Sequence, residues 1–214
     1  MNIFSQAKFE QIPIVGIIRG ITKDKAQTVF DLYEKVGFST IEITMNTEGA
    51  CEMIAHLVSS FAGRLNVGAG TVRTMEELDE ALQAGAKFIV TPIVNQGVIE
   101  KCAAKSIPIF VGAYTPTEIF QAWQWGATAV KIFPTITGGT THIKAVKAPL
   151  EMIPLIPTGG VTAENIADYF ELGIYGVGMG GQLFPKSRIE QEDWKGLEEQ
   201  LRKVKNAYLQ WKNK

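Results

Sequence analysis

Thr128-Ala-Val-Lys131-Ile-Phe-Pro134 sets a lysine inside a short apolar, β-branched run between the turn glycine Gly126 and a proline. Such a run reads as a buried strand. An ammonium there must pair, snorkel to the strand end or give up its proton, because burial disfavours the charged form. A lysine held partly neutral is a nucleophile and forms Schiff bases with carbonyl compounds. The alternative is a lysine whose stem packs on the sheet while its head reaches water.

The same unit of apolar run, turn and amphipathic helix recurs on both sides. Ile14–Ile18 ends at Arg19-Gly20, and Thr22 opens a helix whose Ala26, Val29, Phe30, Leu32 and Val36 keep helical spacing as far as Gly37. Thr40-Ile-Glu42-Ile-Thr44 alternates as a strand, and Thr47 is expected to open the next helix. Residues 65–71 read as strand and turn, with Thr74 and Glu77 at capping-box spacing. Further strands are expected at 88–91, 108–112, 153–157 and 175–179, besides the Lys131 strand. The expected helices lie at about 96–104, from Thr115 to Gly126, near 141–149, from Thr162 to Gly173, and from about 190. The residues ahead of the Ile14–Ile18 run read as a polar lead-in.

Four helix–glycine–strand junctions, at Gly37, Gly85, Gly126 and Gly173, are separated by 48, 41 and 47 residues, each about two βα units. Eight strands alternating with helices predict a (β/α)8 TIM barrel, and a doubly wound open sheet is the alternative compatible with the same alternation. No composition shift marks a second domain, so one barrel domain over 1–214 is expected.

With 46% hydrophobic and 20% charged residues among 214, the chain has the material for one sizeable core. A net charge of −1 leaves no electrostatic footprint for nucleic acid or an anionic membrane. No apolar stretch is long enough to span a bilayer, and no secretory signal pattern opens the chain, so a cytoplasmic globular protein is expected. Cys51 and Cys102 lack motif spacing and read as reduced packing residues. His56 and His142 are too few and too far apart for a histidine metal site, and no Asp/Glu cluster appears, so neither metal nor cofactor is expected.

In a barrel of this kind the catalytic groups sit at the C-terminal ends of the strands. Arg19, Thr71, Thr91-Pro92 and Thr158 end strands, Glu42 and Lys131 lie within them, and Gly180-Gly181 follows the last. All are expected at one mouth. Polar groups in apolar strands are destabilising unless they satisfy one another or a ligand. Glu42 and Lys131 then form either a buried ion pair or a carboxylate that shuttles protons beside an imine-forming lysine. Arg19 suits a planar grip on a carboxylate or phosphate, or a rim salt bridge. The glycine pairs 159–160 and 180–181 fall in the two loops that bind phosphate in such barrels, although glycines also serve plain turns.

The motifs Ile-Arg19-Gly20-Ile-Thr, Ile-Glu42-Ile-Thr, Gly68-Ala-Gly-Thr71-Val, Val-Thr91-Pro92, Val-Lys131-Ile-Phe133-Pro134 and Thr158-Gly159-Gly160-Val occur in this order. In that they resemble the class I aldolases of 2-keto-3-deoxy-6-phosphogluconate (KDPG), a family that includes 4-hydroxy-2-oxoglutarate (KHG) and 2-keto-3-deoxy-6-phosphogalactonate (KDPGal) aldolases. The resemblance covers Ile12 to about Pro185. It implies a Schiff base on Lys131, with Glu42 as the general acid/base. It also implies substrate contacts from Arg19, Thr71, Pro92, Phe133 and Thr158, and phosphate binding by Gly159, Gly160, Gly180, Gly181 and Gln182. A 2-keto-3-deoxy sugar acid phosphate as small-molecule partner, no cofactor, and a homotrimer follow from the same resemblance.

Two departures stand out. Many KDPG aldolases carry an arginine a few residues after the strand 2 glutamate, where this chain has Met45-Asn46-Thr47; Asn46 is closer to the KDPGal branch. Gln182 replaces the serine often found after the strand 8 glycines. A phosphate-binding barrel isomerase or epimerase, and a non-catalytic sugar-phosphate sensor, are the competing readings.

Overall fold

The computed structural model describes residues 3–214. Its strands are β1 (Ile14–Ile18), β2 (Thr40–Thr44), β3 (Asn66–Gly70), β4 (Ile89–Val90), β5 (Ile109–Ala113), β6 (Ala129–Ile132), β7 (Leu155–Pro157) and β8 (Val177–Met179). All pairings are parallel, in the order β7-β6-β5-β4-β3-β2-β1-β8. The ring is completed where Thr158 bridges Gly178 and the Tyr175 N–H donates to the Leu155 carbonyl at 2.9 Å. That closure excludes the open doubly wound sheet and gives the (β/α)8 barrel.

Outside the strands lie α2 (Lys23–Val36), α3 (Ala50–Ser60), α4 (Met75–Gln83), α5 (Gln96–Ala104), α6 (Pro116–Gln124), α7 (Gly139–Lys147), α8 (Ile166–Phe170), α9 (Lys186–Glu190) and α10 (Trp194–Lys212), with α1 (Gln6–Gln11) ahead of β1. At the end of α2, Gly37 takes φ 100°, so that its N–H reaches the Glu34 carbonyl at 2.7 Å and Phe38 reaches Tyr33 at 3.1 Å. Only a residue without Cβ adopts that backbone freely, which is why glycine punctuates the helix-to-strand junctions.

Several local expectations change. The lead-in contains α1, whose sequence QAKFEQ has too few apolar residues to show a period. Thr47 does not open α3, which begins at Ala50 behind Gly49. The Thr74 hydroxyl accepts the Glu77 N–H at 3.2 Å, but the Glu77 carboxylate turns to the Arg73 N–H and guanidinium. A complete capping box stands at Thr115–Glu118 instead. Between Thr162 and Gly173 only Ile166–Phe170 is α-helical.

The core has two layers. One lies between the barrel wall and the helices; the other fills the lower half of the barrel with Val15, Phe88, Val90, Phe110, Ala129 and Ile156, stoppered from below by Phe9 of α1. Phe4 and Tyr175 complete this aromatic floor, with the Phe9 ring centroid 5.9 Å from that of Phe110 and 5.2 Å from that of Tyr175. Among the described residues this floor closes the lower end of the barrel, and the cavity lies at the ends where the strands terminate. Replacing Phe9 by alanine leaves a ring-sized void in a rigid site; Phe9→Ala is expected to lower stability by about 3–5 kcal/mol in urea unfolding.

Candidate active site

Lys131 is on β6, paired in register with Gly112 of β5 and Ile156 of β7. It is 7% exposed, and its Nζ makes no hydrogen bond or ion pair with the described residues. The Nζ lies 4.9 Å from the centroid of the Phe133 ring. Burial lowers its pKa, Arg19 lowers it further, and the negative charge of Glu42 opposes both. Lys131 is therefore an amine biased toward its neutral, nucleophilic form rather than a pinned ammonium.

Glu42 lies at the centre of β2, 1% exposed, in register with Ile17 and Gly68. Burial pushes its pKa up to about 7, against the pull of Lys131 and Arg19. No contact within 4.0 Å joins it to Lys131, so the buried ion pair does not form. Its Oε2 has no hydrogen-bond partner among the described residues. Space for the carboxylate comes from Gly70, where a Cβ would stand 2.3 Å from Oε1. A buried, unpartnered carboxylate in the same barrel interior as a lysine biased to neutrality is a poised proton acceptor.

A cavity of about 670 Å³ opens above this pair. Its walls include Arg19, Lys131, Phe133, Thr158, Gly159, Gly160, Gly180, Gly181 and Gln182, which brings together nine of the twelve residues singled out from the sequence. The other three, Glu42, Thr71 and Pro92, are not among its lining residues; Glu42 is buried, and Thr71 and Pro92 are half-buried. Thr71 takes φ 56°, an unfavourable backbone for a β-branched residue, and its Oγ1 accepts a long bond of 3.4 Å from the Arg19 guanidinium. Pro92 shapes the turn after β4, whose backbone presses against Gly112, the register neighbour of Lys131.

Gly159 and Gly160 take φ 87° and 91° in succession, and the N–H groups of Gly159, Gly160 and Gly181 donate to no described protein group. Consecutive amides facing a cavity in this way form an anion cradle. Thr158 anchors the first glycine pair from below: its N–H donates to Thr135 Oγ1 at 2.9 Å, and that hydroxyl donates to the Ile132 carbonyl at 2.7 Å. Gln182 is exposed on the wall, and its carbonyl accepts from Gln200 of α10 at 2.7 Å.

Residues 5–200 match the family model described as KDPG and KHG aldolase. The chain belongs to this family. Relatives include the 2-dehydro-3-deoxy-6-phosphogalactonate aldolase of Escherichia coli, 35% identical over 81% of this chain and 85% of its own. The 2-dehydro-3-deoxy-phosphogluconate aldolase of Haemophilus influenzae is 34% identical over 92% of this chain and 93% of its own. Among solved structures, one named "Native KDPGal structure" superposes with TM-score 0.88 at 31% identity, covering both chains completely. A KDPG aldolase from Legionella pneumophila, with pyruvate captured at low pH as a covalent carbinolamine intermediate, superposes with TM-score 0.84 at 25% identity over 92% of this chain and 96% of that one.

In this family member the cavity reaches further than the sequence motifs suggested. Lys25 on the first turn of α2, and Lys186, Ile189 and Glu190 on α9, line its outer end. Lys25 is already engaged, donating to the carbonyls of Ile189 at 3.3 Å and Glu190 at 3.0 Å. Its place next to the β1 loop is a signal that sequence reading had in hand, since Lys25 follows Thr22 by three residues. The five-residue α9 carried no such signal.

Because Glu42 binds its proton more tightly in the folded than in the unfolded chain, its contribution to stability is fully present below pH 4.5 and lost as pH rises to about 7. Glu42→Gln has no charge to lose. Its stability relative to the parent is expected to rise between pH 4.5 and 7.5 by up to about 3 kcal/mol, read by urea unfolding at the two pH values.

Proposed function

We propose that the chain is a class I aldolase, a carbon–carbon lyase that cleaves KDPG to pyruvate and glyceraldehyde 3-phosphate. The observation that carries this reading is Lys131: buried, without an ion pair, biased toward neutrality, and facing a cavity into which the glycine loops after β7, its neighbouring strand, and β8 present an anion cradle. An isomerase would need two acid/base groups and no amine nucleophile. A sensor would have no use for an unpaired carboxylate and amine buried together.

In the proposed reaction the neutral Lys131 Nζ adds to the C2 ketone, and loss of water from the carbinolamine gives an iminium. Glu42, as carboxylate, takes the C4 hydroxyl proton, through a water or directly. The C3–C4 bonding pair flows into the iminium, so that glyceraldehyde 3-phosphate leaves and an enamine of pyruvate remains. Protonation at C3 and hydrolysis return the lysine and release pyruvate. Arg19 holds the substrate carboxylate beside Thr71, Phe133 and Pro92 border the reacting carbons, and Thr158 supports the loop. Gly159, Gly160, Gly180 and Gly181 hold the phosphate through their amides, with Gln182 at its edge.

The KDPGal relatives and Asn46 favour KDPGal as a further substrate, and KHG would need no phosphate cradle. The family resemblance also supports a homotrimer of single-domain chains working in the cytoplasm. Among the described residues no helix is long and apolar enough to cross a membrane.

Borohydride reduction in the presence of pyruvate, followed by peptide mapping, is expected to label Lys131 and no other lysine. Lys131→Met is expected to abolish both the label and pyruvate release from KDPG. An unlabelled Lys131 in folded, pyruvate-bound protein would sink the imine mechanism. Because Glu42 must be ionised to accept the proton, kcat/KM for KDPG is expected to fall as pH drops below about 7, and Glu42→Gln to lose that limb along with ~100-fold or more of activity.

A further inference from the structure

Thr47 is a buried polar residue at the mouth that the reaction does not use. It is 5% exposed and lies just beyond β2. Its Oγ1 accepts the Gly20 N–H at 3.0 Å and lies 3.0 Å from the Thr44 hydroxyl. The turn that carries it is closed by the Thr47 N–H on the Thr44 carbonyl at 2.9 Å, and the Met45 N–H ties the same turn to the Gly70 carbonyl at 2.8 Å. Thr47 is thus fixed to the ends of β2 and β3, and reaches across to the loop after β1.

Ile21, buried in the core, anchors the far side of that loop, and on the Arg19 side the Thr47 hydroxyl holds Gly20. Gly20 takes φ 65°, and no atom lies within 4 Å of the place a Cβ would occupy. Arg19, the preceding residue, is exposed on the cavity wall, and its one side-chain hydrogen bond among the described residues is the long one of 3.4 Å to Thr71. A long side chain with a single weak contact is directed by where its backbone enters.

We propose that Thr47 is a positioning residue for Arg19: its hydroxyl, backed by Thr44, holds the Gly20 N–H and so aims the guanidinium at the substrate carboxylate. The proposal rests on the aldolase reading, in which Arg19 makes that grip. The connections close into a ring that runs from Glu42 and Thr44 through Thr47, Gly20, Arg19 and Thr71 to Gly70, against which the Glu42 carboxylate packs. The carboxylate grip and the proton acceptor therefore share one frame.

Thr47→Val keeps the shape and removes the oxygen; Thr47→Ser keeps the oxygen and removes a methyl. With KDPG as substrate, Thr47→Val is expected to raise KM about tenfold with kcat changed less than about threefold, as befits loss of one hydrogen bond that sets ground-state binding. Thr47→Ser is expected to stay within about twofold of the parent. A packing role gives the opposite order, with valine tolerated and serine impaired, and would overturn the proposal. In an Arg19→Ala background, Thr47→Val is expected to add nothing to KM; additive effects would show that Thr47 acts elsewhere. Should Thr47→Val fail to fold, Thr44→Val removes only the backing hydroxyl and is expected to raise KM about two- to threefold, an unchanged KM counting against the ring. Borohydride trapping with pyruvate separates the two levels. A parent protein that does not trap overturns the aldolase reading and this proposal together. Trapping in the parent, with KM unmoved in Thr47→Val, overturns the role of Thr47 alone.

Discussion

Two ionisable side chains sit inside one barrel without neutralising each other. A carboxylate and an amine removed from water lose hydration worth several kcal/mol each, and a direct ion pair is the usual compensation. Here Glu42 and Lys131 stand on strands separated by β3, β4 and β5, and the compensation is left incomplete. Burial then acts on both: it raises the pKa of Glu42 to about 7 and lowers that of Lys131, so each is biased toward its uncharged form. The rest of the fold has to tolerate this arrangement, and the large core between the barrel wall and the helices supplies most of the compensating apolar burial, with the aromatic floor adding a smaller share.

Room for these groups comes from what neighbouring strands omit. Gly70 leaves space for the Glu42 carboxylate, and a Cβ on Gly68 would meet the Phe88 ring at 2.4 Å. Gly112 admits the Pro92 turn next to Lys131, and Gly178 admits the Thr158 side chain. A narrow eight-stranded barrel can hold large or polar groups in its interior only if facing positions are small. The glycines of β3, β5 and β8 are thus part of the site, and Gly178 lines the cavity itself.

Sequence reading succeeded where the signal was local. The strand period around Glu42 and Lys131, the glycine-punctuated helix ends and the two glycine pairs follow from residues close together in the chain, and all reappear in the barrel. It failed where a role depends on a distant partner. QAKFEQ has no helical period of its own, and α1 is instead held by Phe9 packing on the rings of Phe110 of β5 and Tyr175. Thr47 has the composition of a helix cap, yet its hydroxyl is claimed by Gly20, 27 residues away. Glu77 is a different case: it has capping-box spacing after Thr74, but Arg73, only four residues back, captures its carboxylate, one local interaction outcompeting another.

What the sequence by itself determined is the alternation of eight strands with helices, the placing of Lys131, Glu42 and Arg19 in or at strand ends, and through its motifs the family. Those properties depend on periodicity and residue chemistry, which a linear order preserves. Tertiary structure alone decided that Glu42 is buried and not among the residues lining the cavity, that it does not pair with Lys131, and that Thr71 is held at a left-handed φ beneath Arg19. These outcomes depend on barrel closure and strand stagger, which set distances between residues dozens of positions apart that no local pattern encodes.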